Sequence, residues 1–244
     1  MSVILQNFDK YYEDALEVFQ NRSINVDVTH RCLLQCPFCS RQSYDGKDMV
    51  RQSQIMYGDL YDLNAEDIGN TFDVLSLCGQ ISDPIYHSNF LNIMKIFMNT
   101  SCKRIDIHTT GSHKKKDWWK ELVEISADPQ KNVRFIFGID GIDEKSSYHR
   151  INQNTDQAFE AMKVVSDYLK ANKDSNIEVI WQYIPFKYNE NDIDKAIDIA
   201  NDIGVKLLML KSGRFRTSGN ILEPPSNPDL FNTKQFAERV YINE

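Results

Sequence analysis

The chain has 244 residues, of which 41% are hydrophobic, 26% charged and 11% aromatic; this is a globular composition, long enough to bury a full core as one α/β barrel or two smaller domains. Lys plus Arg number 28 against 35 Asp plus Glu, a formal net charge of −7, and an acidic chain without a long basic tract is a poor general nucleic-acid or anionic-membrane binder. No apolar run reaches the roughly 18 residues of a membrane span, and MSVILQNFDKYYEDAL carries acids where a signal peptide needs bases, so a cytoplasmic protein is expected.

In chain order, residues 1–22 predict a short helical lead-in (Tyr11 to Phe19). Strands then alternate with helices. The predicted strands are Ile24–Thr29, Val74–Gly79, Arg104–Thr110, Val133–Asp140, Ile177–Ile184 and Val205–Lys211. The predicted helices are Ala65–Phe72, Phe90–Asn99, Trp118–Ala127, Ala158–Ala171 and Asp192–Ile203, with Gly204 placed to cap the last. Strands separated by helix-length segments imply βαβ units with right-handed crossovers. The expected fold is α/β, a partial (β/α)6 parallel barrel over residues 23–213. The tail, 214–244, holds Pro224, Pro225 and Pro228 and then a predicted helix near Thr233–Tyr241.

The strands alternate rather than running continuously apolar. Ile24, Val26 and Val28 alternate with Asn25, Asp27 and Thr29; Ile105 and Ile107 with Asp106, His108 and Thr110; Phe135, Phe137 and Ile139 with Arg134, Gly138 and Asp140. In the fifth strand Glu178 and Gln182 share a face with Ile180 and Ile184. With the apolar set under the helices, the polar set points into the barrel and lines a cavity for a polar ligand. An antiparallel sheet with one wet face would alternate in the same way; the interleaved helices favour the barrel.

Of the five cysteines, Cys32, Cys36 and Cys39 fall within eight residues as C-x3-C-x2-C, and the others are Cys78 and Cys102. An odd count in a cytosolic chain argues against a disulfide framework. Three thiolates so close are soft ligands that should converge on one point, for zinc or an iron–sulfur cluster. A closed zinc site needs a fourth ligand, for which His30, Cys78 and Cys102 are the candidates. Otherwise Cys78 and Cys102 read as small core residues. Lys114–Lys116 reads as a solvated face, Trp118 and Trp119 as helix anchors, and His87 and His113 have no evident partner in the sequence.

The segment NVDVTHRCLLQCPFCSRQ sets three thiols on the loop leaving the first strand, and in α/β barrels the working loops follow the carboxyl ends of strands. This arrangement resembles the radical S-adenosylmethionine (SAM) superfamily, over roughly residues 23–213. The resemblance implies that Cys32, Cys36 and Cys39 hold three irons of a [4Fe–4S] cluster and leave the fourth for the amine and carboxylate of SAM. Reductive cleavage of SAM then gives a 5′-deoxyadenosyl radical that abstracts hydrogen from a substrate. Phe38 stands where the family favours an aromatic beside adenine. LCGQISDPIYH resembles the Gly-Gly-Glu-Pro stretch that receives the methionine amine, with Gly79, Ser82 and Asp83 as its candidates; Asp83 is one methylene shorter than glutamate. Thr109, Thr110 and Gly111 look like the Thr-Asn-Gly turn of many members. FGIDGIDEKSSYHRI resembles the region in which a strand-end polar residue meets SAM and an arginine reaches its carboxylate, here Asp140 and Arg150; a planar guanidinium suits that pairing. WQYIPFKYNENDIDKAIDIANDIGV resembles the fifth strand and helix of the SPASM- and twitch-associated branch, which puts Gln182 and Ile184 beside adenosine.

The chain departs from that branch in having no cysteine after Cys102, so no auxiliary cluster is expected. The resemblance implies a flavodoxin- or ferredoxin-type electron donor. It points to a peptide or protein substrate, with a nucleotide or other small metabolite as the alternative. Arg214 and Arg216 are candidates for an anionic substrate group. Two other classes compete: a structural zinc or cluster-bearing interaction module, which would keep metal without binding SAM, and an electron carrier, which would need four cysteines and no polar-lined barrel.

Overall fold

The computed structural model describes residues 22–37, 39, 41, 59–78, 82–211, 222–230 and 238–242. The expected lead-in helix, Phe38, Gly79, Arg214 and Arg216 lie outside the described residues.

Among the described residues seven strands form one sheet in the order β1 to β7: β1 (Ser23–Asn25), β2 (Val74–Leu77), β3 (Arg104–Thr109), β4 (Asn132–Gly138), β5 (Ile177–Tyr183), β6 (Lys206–Lys211) and β7 (Glu238–Tyr241). The first six pair in parallel, each with its sequence neighbour. Between them run α1 (Asp62–Thr71), α2 (Phe90–Met98), α3 (Lys116–Ser126), the single turn α4 (Ser146–His149), α5 (Thr155–Ala171) and α6 (Ile193–Ile203). This is the expected partial (β/α)6 barrel, open because β1 and β7 are not neighbours. No described helix is long and apolar enough to cross a membrane.

The helices form where apolar residues recur on one face. In α2 the buried residues are Phe90, Ile93, Met94 and Phe97, and in α5 Ala158, Ala161, Met162 and Val165, both spaced i, i+3, i+4, i+7. Asn154 caps α5 by accepting from the Gln157 N–H at 3.0 Å. Gly204 ends α6 at φ 79°, the left-handed conformation that a Cβ disfavours. The outward strand faces, with Leu75, Leu77, Ile105, Ile107, Phe135 and Phe137 fully buried, meet these helices in one continuous core.

The tail differs from expectation. Glu238–Tyr241 is not helical; it is β7, antiparallel on β6 with Leu208 opposite Tyr241 and Lys211 opposite Glu238. The free edge of β6 offers unpaired backbone groups, and pairing them outweighs the weak helical preference of so short a segment.

The inward face is zoned rather than polar throughout. Near the amino ends the Asp106 carboxylate accepts from Arg134 Nε at 2.6 Å, and Glu178 accepts from Lys206 at 3.2 Å. One step along lies a small apolar cluster of Ile136, Ile180 and Leu208. His108 stands level with Ile136 on β3, and further polar side chains gather at the carboxyl ends.

Candidate functional site

The loop after β1 carries Cys32, Cys36 and Cys39, all free thiols and half-buried. Cys36 and Cys39 bracket a tight turn in which the Cys39 N–H donates to the Cys36 carbonyl at 3.0 Å. Two hydrogen bonds pin this loop to the segment after β4: Gln35 N–H to the Ile151 carbonyl at 3.1 Å, and Asn152 Nδ2 to the Leu33 carbonyl at 3.3 Å. The loop is therefore held beside Arg150, whose charge reaches the Cys36 thiol. Burial pushes the Cys32 thiol up to about 12, with the Asp83 charge adding and the Leu34 N–H and Arg41 opposing. Burial likewise pushes Cys36 up to about 11, opposed mainly by Arg150.

Among the described residues no three His, Cys, Asp or Glu side chains come close enough to hold one metal ion. Cys102 is removed as a fourth ligand: it precedes β3, at the opposite end of the parallel sheet, where it is buried and in contact with Lys131 Nζ at 3.4 Å. Chemically the remaining donor set suits a cluster. Three thiols share one short loop, and two arginines stand by to offset thiolate charge: Arg150, and Arg41, which is buried and donates to the His30 carbonyl at 2.8 Å.

Asp140 and Arg150 come together. Asp140 is wholly buried, and its Oδ2 accepts from Arg150 Nε at 2.7 Å and from His149 Nδ1 at 2.8 Å. Its Oδ1 accepts from the Ile184 N–H at 2.9 Å. Burial pushes this carboxyl up, but Arg150, His149 and the Ile184 amide outweigh it and hold it below the usual carboxylate range. Every Asp140 oxygen is thereby engaged, so it orients its neighbours. Arg150 has only its Nε engaged, and its terminal nitrogens have no acceptor among the described residues. The guanidinium lies over Gly138, where an added Cβ would sit 2.6 Å from Nη2. Gln182 is Gly138's partner on β5. Gln182 and Ile184 are both partly exposed on this rim.

Ser82, Asp83 and Thr110 also gather at the carboxyl ends. Ser82 Oγ donates to Asp27 at 2.6 Å. Asp83 caps the short 3-10 turn Pro84–Tyr86 and is almost fully buried. Its Oδ2 accepts from Thr109 Oγ1 at 3.1 Å and from both the amide and hydroxyl of Thr110 at 2.9 Å. Desolvation pushes this carboxyl up, against the pull of those hydrogen bonds. Asp83 and Thr110 therefore clamp the end of β2 to that of β3.

Three contributors were not picked out from the sequence. His149 shares Asp140 with Arg150 and packs edge-on to Phe186, ring centroids 5.0 Å apart; its signal was adjacency to the candidate arginine. Gln153 donates through Nε2 to the carbonyls of Thr110 at 3.0 Å and Gly138 at 2.9 Å, tying β3 to β4. Asn189, fully buried, donates to the carbonyls of Asp140 at 2.7 Å and Ile184 at 3.0 Å. No pattern marked the last two, because an amide that satisfies backbone has no fixed spacing. His87 and His113 do have partners: His87 bridges the Leu60 carbonyl and the Asn89 amide, and His113 meets the Tyr86 hydroxyl at 2.9 Å.

No protein-family model matches the chain, and no curated protein matches it in sequence. Solved structures do match in fold. SuiB of Streptococcus suis bound to S-adenosylmethionine superposes with a TM-score of 0.52 at 14% identity, covering 91% of this chain and 49% of SuiB. A second SuiB structure gives 0.54 at 14% identity, covering 91% and 48%. The chain spans about half the length of the solved structures it matches, and what it shares with them is the fold.

Proposed function

We propose that this chain is a radical SAM enzyme. The observation that carries the reading is the meeting, at the carboxyl end of the barrel, of a three-thiol loop with an arginine whose terminal nitrogens are left for an anion. Support comes from the fold shared with SuiB, which has been solved with SAM. Cys32, Cys36 and Cys39 would hold a [4Fe–4S] cluster, and together with SAM it would supply reductive cleavage to a 5′-deoxyadenosyl radical that takes hydrogen from the substrate.

The chain's own residues then divide the remaining work. Asp140 fixes Arg150 at Nε and so aims the other two nitrogens, which suit the methionyl carboxylate of SAM. Gly138 leaves room for that guanidinium. Gln182 and Ile184 would border the adenosine, and the family resemblance assigns Phe38 to adenine. Gly79 and Ser82 serve the methionine amine. Asp83 and Thr110 shape that subsite as a fixed clamp, since the Asp83 oxygens are already engaged. Electrons would come from a flavodoxin- or ferredoxin-type donor. A peptide or protein is the substrate class carried forward, with a small metabolite as the alternative.

The test is anoxic reconstitution with iron and sulfide. About four irons per chain are expected, with 5′-deoxyadenosine released from SAM on reduction. Cys32→Ala, Cys36→Ala and Cys39→Ala should lose both properties, and Cys102→Ala neither. Stoichiometric zinc without iron in anoxically purified protein would refute the reading.

A further inference from the structure

A cleft of about 870 Å³ opens on the same face as the thiol loop. Its walls come from the loops after β1, β3 and β4: Leu33 from between Cys32 and Cys36, His113, and the stretch from Asp143 to Asp156 that carries Arg150. Its size falls within the range of small-molecule sites.

Among the described residues its charge is one-sided: Asp143, Glu144 and Asp156 line it, and no Lys or Arg does. Asp143 pairs with Lys195 at 3.6 Å, with both side chains mostly exposed, a pairing that contributes little. Asp156 also stands in the first turn of α5, where a carboxylate is favoured for helical reasons alone.

A second observation is independent of those acids. Gln153 lines the cleft and is only 7% exposed. Its Nε2 is held by the Thr110 and Gly138 carbonyls, which fixes the amide, and its Oε1 is buried without a partner. A buried amide oxygen without a donor costs about 1–3 kcal/mol in general, and such a cost persists where the acceptor awaits a ligand. The backbone is strained at the same place. Among the described residues four non-glycine residues have positive φ, and three of them, His113, Asp143 and Asn152, line this cleft. Strain of this kind collects at functional sites.

We propose that this cleft is a substrate subsite that takes a cationic nitrogen donor, an ammonium or guanidinium, with Asp143, Glu144 and Asp156 supplying charge and Gln153 Oε1 an acceptor at its floor. That the bound group belongs to a substrate rests on the function proposed above; the cationic preference itself does not. Such a group is carried by a basic peptide or by a free polyamine, and the peptide is favoured because the cleft is wide and open to the surface.

The test uses the full chain, purified anoxically. The probe is a fluorescein-labelled Gly-Lys-Gly-Lys-Gly amide, followed by anisotropy, with the Glu-for-Lys peptide as its control. The Asp143→Asn/Glu144→Gln/Asp156→Asn variant keeps each side chain's shape, and asparagine tolerates the positive φ of Asp143, so folding is preserved. It should bind the lysine probe about tenfold or more weakly. The Asp194→Asn/Asp198→Asn/Asp202→Asn variant removes as much charge from exposed positions of α6 and should bind as the unaltered chain does. Competition with spermidine distinguishes the sources: displacement assigns the cleft to amines at large, and failure to displace assigns it to peptides, both within the proposal. Equal losses in the two variants, or no preference for the lysine probe over the glutamate one, would overturn it. Probe binding needs no cluster. A chain that binds the lysine probe but never cleaves SAM sinks the function and spares the cleft, and the opposite pair of results sinks the cleft alone.

Discussion

Gly138→Ala is the sharpest perturbation of the proposed SAM site, because it changes one methyl group and no charge. The new Cβ would sit 2.6 Å from Arg150 Nη2 and 2.8 Å from Cζ. An ordinary contact needs about 3.5 Å, so the guanidinium must retreat by roughly 0.9 Å. It cannot move as a whole, because Nε is held by Asp140 at 2.7 Å. The motion therefore falls on the two terminal nitrogens proposed to bind the carboxylate. A shift of that size takes at least one of two parallel charged hydrogen bonds out of range, a loss of about 1.5–3 kcal/mol, or roughly 10- to 150-fold in SAM affinity. Equilibrium dialysis of SAM against reconstituted protein measures it, with iron content and melting temperature matched to the unaltered chain. Arg150→Ala should fall at least as far, and Gly138→Ala/Arg150→Ala no further than Arg150→Ala, since both act on one interaction. A Gly138→Ala protein with full iron and unaltered SAM affinity would refute the placement of Arg150.

Other consequences follow from the clamps around the site. Asp140→Asn should destabilise the fold by about 3–5 kcal/mol in chemical denaturation, since it strands the charge of Arg150 in a buried place. Asp140 sits below its ordinary carboxylate value, so its contribution is complete above about pH 4 and fades as pH falls through the folded value; acid titrations of stability should show that slope in the unaltered chain and lack it in Asp140→Asn. Asp83→Ala should cost about 2–3 kcal/mol, because three donors from Thr109 and Thr110 lose one acceptor. Asp83→Asn, which keeps an oxygen for the Thr110 amide, should cost about 1 kcal/mol or less, and equal losses would show that charge rather than hydrogen bonding holds the clamp. Lys131→Met should cost about 1–2 kcal/mol, since its ammonium donates at 2.7 Å to the carbonyls of Phe97 and Thr100 at the end of α2.

The barrel was legible because each element has its own local signal. Alternation at Val133, Phe135 and Phe137 marks a strand with one covered face, the helical stretches on either side say what covers it, and Gly204 can end a helix where another residue would strain. Strand β7 was not legible, because its pairing depends on an edge that no local pattern announces. The candidate site was legible as a list of residues but not as a division of labour. Asp140 and Asp83 both read as polar residues at strand ends, fit to touch a ligand. Their burial and their filled hydrogen-bonding capacity make them fixtures that aim or clamp others. Gln153 was invisible for the converse reason: its role is defined by partners 43 and 15 residues away, separations that only the fold bridges.

The two halves of the proposed site differ in how much must happen before they are competent. The ends of β3, β4 and β5 are already cross-tied through Gln153, Asp140 and Asn189, so the surface that would face SAM costs little to organise. The thiol half is different. Cys32 and Cys36 are pushed up to about 12 and about 11 by burial, and metal binds only the thiolate form. Both thiols are protonated at neutral pH, and each must release its proton as iron enters. The sign follows: iron uptake should strengthen with rising pH across the neutral range, by up to about tenfold per pH unit for each thiol that gives up a proton. Arg150 lowers the cost at Cys36, so Arg150→Ala should shift the uptake curve toward higher pH. Visible absorbance during anoxic titration with iron and sulfide at several pH values measures it. Uptake that does not change with pH, or an Arg150→Ala curve laid over that of the unaltered chain, would show that these thiols are not the ligands or that Arg150 does not stand beside them.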